Sequence, residues 1–221
     1  MAYGQNRPFG LVPWTNMSSG IYNGQTAQFP IKSGYAFNIF RGDLVYRGTD
    51  GYIHNLNELG GVATATALGV FNGCSYVQPS AINPTDFASP GRPYWPANTL
   101  TPNGIDATCD VIVDPNVIYT IQVNDPGIRW EAQGTNASVV YDVAPGNSPV
   151  GNTNTGQSTM QLASGTVGPG ATKNLYIYGF DRNPSNPIPI PAPLGGIAVP
   201  YVNALVLISN DQFRTMPAGH A

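Results

Sequence analysis

Along most of this chain the apolar and polar positions fall into short runs with a period of two. DLVYR (43–47), YIHNL (52–56), DATCDVIV (106–113), IYTIQV (118–123), STMQLA (158–163) and NLYIYGF (174–180) alternate, as does YAFNIFR (35–41). ALGVF (67–71) and VNALVLIS (202–209) are nearly continuous apolar runs, and GCSYV (73–77) follows the first of them after a turn. Side chains two apart on a strand share one face, so this pattern predicts short strands. The run at 202–209 is the most apolar and is expected to be central. Gly179 late in 174–180 predicts a bulge. Residues 128–132 read as a further short strand, 136–143 as a strand or one helical turn, and 144–157 as a loop or a solvated hairpin tip. No stretch has the 3.6-residue period of a confident helix.

Turn residues punctuate these runs. Asp50-Gly51 supplies the backbone freedom a tight hairpin needs. Leu59-Gly60-Gly61, Asp114-Pro115-Asn116 and Asp125-Pro126-Gly127 break the chain again. Proline then marks three irregular stretches: 1–33, 78–104 and 181–200. Each proline fixes φ and removes a donor, which excludes helix and makes a central strand improbable. Residues 1–33 are nevertheless too apolar for a solvated tail, with Phe9, Leu11, Val12, Trp14, Ile21, Tyr22 and Phe29. An extended N-terminal arm reconciles the two facts. Its anchors would be buried on its own domain or on a neighbouring subunit. In 78–104, Tyr94-Trp95-Pro96 reads as an apolar plug for a pocket or an interface, since long loops in a compact domain are commonly contact-making. The expected organisation is an arm over 1–33 and a β domain over 34–221 with insertions at 78–104 and 181–200. The expected fold is mainly β, a small β-barrel or sandwich.

Composition sharpens this. Hydrophobic residues are 42% of the 221, enough for a core, while charged residues are 10%. Lysine occurs at 32 and 173 and glutamate at 58 and 131, so helix surfaces have little to be built from. The net charge is −3 and the arginines are scattered, which argues against a nucleic-acid partner. No apolar run has signal-peptide or membrane-span length, so synthesis in a cytoplasm, or export by an unusual route, and no membrane partner are expected. Cys74 and Cys109 read as buried thiols, with a bridge open if their strands are neighbours.

Candidate chemistry is sparse. His54 shares a strand face with Tyr52 and Leu56 and reads as a satisfied strand histidine; His220 is penultimate. No serine near His54 has a nucleophile-elbow pattern. His54, Cys74 and Cys109 lack zinc-ligand spacing. Asp106, Asp110 and Asp114 line one strand region without a calcium-loop pattern and read as solvated carboxylates. There is no phosphate-cradling glycine motif. Asn16-Met17-Ser18 and Asn136-Ala137-Ser138 match glycosylation triplets by chance. The expectation is a structural or binding protein with no enzymatic activity, no cofactor and no metal.

GDLVYRGTDG, ALGVFNGCSYV with the later RPYWP, and TGQSTMQL followed by NLYIYGF and ALVLISNDQF together resemble the capsid cement, or head decoration, proteins of tailed bacteriophages. The likeness spans roughly residues 35–213 and is one of strand-and-turn pattern. It implies a compact, β-tulip-like barrel, often trimeric, that sits on the outer capsid surface and clamps adjacent capsomers. The partners so implied are a major capsid protein and further copies of the chain, and the location is the virion. Simple members of that group are much shorter; the arm and the proline-rich insertions depart from them. Within this expectation Arg7, Phe9, Trp14, Phe29, Tyr94 and Trp95 are the capsid or subunit contacts. A tail-fibre or spike domain, or another carbohydrate-binding β module, is the alternative.

Overall fold

The computed structural model of the chain describes residues 6–18, 20–59, 66–77, 89–102, 105–125, 128, 130–170, 173–182, 201–209 and 211–212. Among these residues the architecture is all β, with two larger antiparallel sheets that stay open. The first sheet runs β1 (Val12–Asn16), β10 (Val117–Gln122), β15 (Asn203–Ile208), β14 (Leu175–Phe180) and β11 (Asn136–Ala137). The second runs β2 (Ala27–Ile31), β9 (Ala107–Ile112), β6 (Gly69–Tyr76), β4 (Leu44–Arg47) and β5 (Ile53–Asn55), with β7 (Ser89–Arg92) also on β6. Two small ribbons complete it: β3 (Ile39–Phe40) with β8 (Tyr94–Trp95), and β12 (Val139–Val140) with β13 (Gln161–Leu162). This is the sandwich half of the sequence expectation. The barrel half is not met, because each sheet ends on edge strands.

The main core lies between the sheets. Leu44, Val70 and Ile112 of the second sheet meet Val117, Tyr119, Ile121, Ile177 and Val206 of the first. The other face of the second sheet is buried too. There Val45, Ile53, Phe71, Cys109 and Val111 pack under Tyr35, Ile39 and Trp95, brought over by the segments around β3 and β8. Burying one such side chain contributes ~1.5–3 kcal/mol, so the capping segments are integral to the fold. The central place of β15, with β10 on one side and β14 on the other, matches its near-continuous apolar sequence.

Two bulges explain why runs that break alternation still form single strands. In β6 the register shifts between Phe71 and Gly73, leaving Asn72 as the extra residue. Phe71 and Cys74, three apart, therefore reach the same core. The sequence reading split this strand into 67–71 and 73–77; Gly73 is the bulge glycine, with φ +149°. In β14 the shift lies between Ile177 and Gly179, and it lets Ile177 and Phe180 both face the main core. The bulge that Gly179 predicts is thus present.

Other expectations shift at the element level. Of 35–41, residues 39–40 are strand; Tyr35 and Ile39 are buried in the cap rather than laid along a sheet. In 128–132 there is a 3-10 turn at Trp130–Ala132 instead of a strand. The ambiguous 136–143 resolves into β11 and β12, which belong to different sheets. Asp114-Pro115-Asn116 joins strands of the two opposed sheets, and the Asp114 carboxylate accepts from the Asn116 N–H at 2.9 Å. Residues 78–88 and 183–200, which hold much of two proline-rich stretches, lie outside the described residues. No helix among the described residues is long and apolar enough to cross a membrane.

Candidate interaction surface

The N-terminal segment is extended, as its prolines require, and the described part of it lies on its own chain. β1 pairs β10 and β2 pairs β9, each as the outermost strand of its sheet. Pro13 and Pro30 sit inside these strands. An edge strand tolerates proline because the missing donor costs no ladder bond on the open side. The arm is accordingly two edge strands of the sandwich.

Several contacts hold β1 and its approach in place. The Arg7 N–H donates to Gln122 Oε1 at 2.8 Å, and the Leu11 N–H to the Gly42 carbonyl at 2.9 Å. Leu11 itself is buried in the main core. Gly10 has φ +69°, and a Cβ there would lie 2.6 Å from the Ser158 Cβ. At the far end Asn16 organises a tight turn. Its side-chain carbonyl accepts from the Ser18 N–H and hydroxyl at 2.9 and 2.6 Å, and its amide donates to Asp114 at 2.6 Å. A buried amide so engaged is no glycan acceptor, in line with reading the triplet as chance.

What this scaffold displays is apolar. Trp14 is 52% exposed and Ile21 is 78% exposed, and Val12 and Met17 are also open to solvent. The register of β1 shifts between Pro13 and Thr15, which makes Trp14 the bulged residue, and Val12 and Trp14 are both open to solvent. Arg7 is exposed and Phe9 half-buried. These positions form one side of the expected contact set.

The remaining three residues of that set are placed differently. Phe29 is half-buried and packs on the second core. Tyr94 stacks on Phe40 at 5.2 Å between ring centroids. Trp95 is 0% exposed; it meets Tyr76 edge-on at 5.1 Å and donates from Nε1 to the Tyr35 carbonyl at 3.4 Å. The expected plug exists, but it fills the chain's own core. Trp95 has no surface left for a partner, so its assignment as a contact is withdrawn.

The polar groups that could carry chemistry are engaged with their own neighbours. His54 lies between two carboxylates, Nδ1 2.9 Å from Glu58 and Nε2 3.1 Å from Asp50. Tyr46 stacks on its ring, and the Tyr35 hydroxyl donates to Glu58 at 2.7 Å. Burial, and then the bond to Glu58, push the Tyr35 phenol well up. Asp106 accepts from the Ser33 N–H and the Tyr52 hydroxyl, and Asp110 from the Gln28 amide. Among the described residues no group of three or more His, Cys, Asp or Glu could hold a metal ion. Cys74 and Cys109 face each other across β6 and β9 as free thiols, and burial pushes Cys74 up to about 12.

One deeply buried acid stands apart. Asp43 accepts from the Ser158 hydroxyl at 2.5 Å, the Phe40 N–H at 2.8 Å and the Asn55 amide at 2.9 Å. Burial pushes its carboxyl up to about 7 against the pull of these three bonds. It ties β3, β4, β5 and the chain before β13 together. It is a structural hub.

Sequence reasoning missed Tyr176 and Tyr178. Both are exposed on β14, where the alternation LYIYGF places aromatic residues at the outward positions. A strand that alternates apolar-in with tyrosine-out carries that signal in the sequence itself. Comparison with protein families, with curated proteins and with solved structures gives no match for this chain.

Proposed function

We propose that this chain is a structural virion protein that binds the outer surface of a tailed-phage capsid and stabilises it by bridging adjacent capsomers. The observation that carries the proposal is the exposed apolar series Val12, Trp14, Met17 and Ile21, held out by an anchored edge strand. Solvent-facing Trp on a rigid strand is the residue type that dominates protein interfaces. The strand-and-turn likeness to capsid cement proteins supplies the identity of the partner, a major capsid protein. Self-association as a trimer belongs to the same proposal, because many copies turn modest contacts into a durable lattice attachment.

Trp14→Ala combined with Ile21→Ser tests it. Both side chains are largely exposed, so stability should change by within about 0.5 kcal/mol. Loss of an interface hot spot costs ~2 kcal/mol or more, so occupancy on tailed-phage capsids that bind the parent chain should fall steeply. Quantitative protein staining of purified heads reads the ratio. Full occupancy by a folded double variant would sink the proposal. Light scattering of the free chain should give three times the chain mass; a monomer at every concentration would remove the trimer.

A further inference from the structure

The two outward tyrosines of β14 frame a cavity of about 570 Å³ on the first sheet. Its lining includes Tyr176, Tyr178, Gly179, Leu205, Gln133 and Arg182. Tyr178 is the bulged residue of β14, just before Gly179, which pairs with Leu205 of β15, and it is 46% exposed. A bulge re-aims a side chain and opens the strand locally. Gly179 leaves room at this point, and a Cβ there would face the Gln133 amide nitrogen at 3.8 Å. Tyr176 and Tyr178 stand two residues apart and both are outward, so the cavity offers two aromatic rings to successive sugar rings.

We infer that this cavity binds an acidic glycan, a chain of sugar rings bearing carboxylates. The ring faces of a pyranose are C–H surfaces that pack on tyrosine, whose amphipathic ring suits a half-wet site. Hydroxyls around the sugar need both donors and acceptors, which the Gln133 amide and the phenols supply. Arg182 is the charged residue in the lining, and its guanidinium fits a carboxylate through two parallel bonds. No carboxylate is among these lining residues, although Asp181 lies between Phe180 and Arg182 in the chain, so the arginine is the charge that faces a ligand here. A stacked single-stranded nucleic acid would use the same rings, but it needs a basic groove that follows its backbone, and Arg182 is the one basic residue among these lining residues. The site is independent of the capsid reading.

The test is calorimetric titration of the full chain with hexagalacturonate, with maltohexaose and with a thymidine decanucleotide. Saturable binding of hexagalacturonate, tighter than either other probe, is expected. Tyr178→Ala should weaken it about tenfold or more, the size of a lost stacking contact. Arg182→Gln should erase the preference for hexagalacturonate over maltohexaose while leaving residual stacking. An unchanged melting temperature shows that each variant is folded. The inference fails if hexagalacturonate does not bind at ~5 mM, a level that detects even millimolar affinity. It also fails if Tyr178→Ala binds as well as the parent, or if the decanucleotide binds best.

Discussion

Asp43 shows how one side chain can set the solution behaviour of the whole domain. Its carboxyl is fully buried, and burial raises it from the ordinary 3.8 to about 7. An acid held above its unfolded value keeps its proton longer in the folded state. The folded form then binds more protons than the unfolded chain between those values, so stability falls as pH rises from about 4 to about 7. At ~1.4 kcal/mol for each tenfold, the loss is roughly 4 kcal/mol. Asp43→Asn mimics the protonated acid, since its amide can donate to Ser158 while its carbonyl accepts from Phe40 and Asn55. Denaturant titrations from pH 4 to pH 8 should show the parent losing this increment and the variant keeping it. Parallel curves for the two would show that the three hydrogen bonds, not burial, decide the state of the acid.

At the scale of elements, the bulge in β6 depends on a glycine. Gly73 has φ +149°, and a Cβ there would lie 2.9 Å from the Arg92 carbonyl oxygen on β7. Side chains rarely adopt that backbone, and the bulge it permits brings Phe71 and Cys74 to one core. Gly73→Ala should destabilise the fold by about 1–3 kcal/mol, with the cost of displacing β7 added. A melting curve unchanged from the parent would mean that the bulge can be rebuilt without the glycine. Much of the element content is legible from alternation and turns. Asp50-Gly51 marks the β4–β5 hairpin, and Gly179 marks the β14 bulge. Gly73 misleads because a glycine between two apolar runs reads equally as a turn or as a bulge. The partner strand decides between them, and β9 and β7 lie far along the chain.

For the whole molecule, the fate of the N-terminal segment matters most. Leu11 and Ile31 are buried in the two different cores, and β1 and β2 close one edge of each sheet. Removing residues 1–33 deletes both strands and bares the edges of β10 and β9. Each lost Leu or Ile contact set costs ~2–5 kcal/mol, against a typical total of 5–15 kcal/mol. A chain beginning at residue 34 should therefore lack a cooperative thermal transition and should aggregate through its open edges. A sharp melt of that fragment, followed by circular dichroism, would restore the picture of a separable arm. The contact residues divide along the same line. The exposed Trp14 remains available to a partner, whereas Trp95 belongs to the core. Both read alike in sequence, as tryptophan in a proline-rich stretch.

The sequence by itself determined the all-β class, the scarcity of helix among the described residues and the central place of residues 203–208. Those follow from residue type and local period, which act over a few neighbours. Tertiary structure alone decided which prolines lie on edge strands and which tryptophan is covered. It also decided that the two larger sheets stay open, that Asp43 is sealed among partners such as Ser158, and that the two tyrosines of β14 share a cavity with Gln133 and Arg182. Each of these depends on pairings between residues remote in the chain. Local pattern carries no record of which strand, among so many short ones, will be the neighbour.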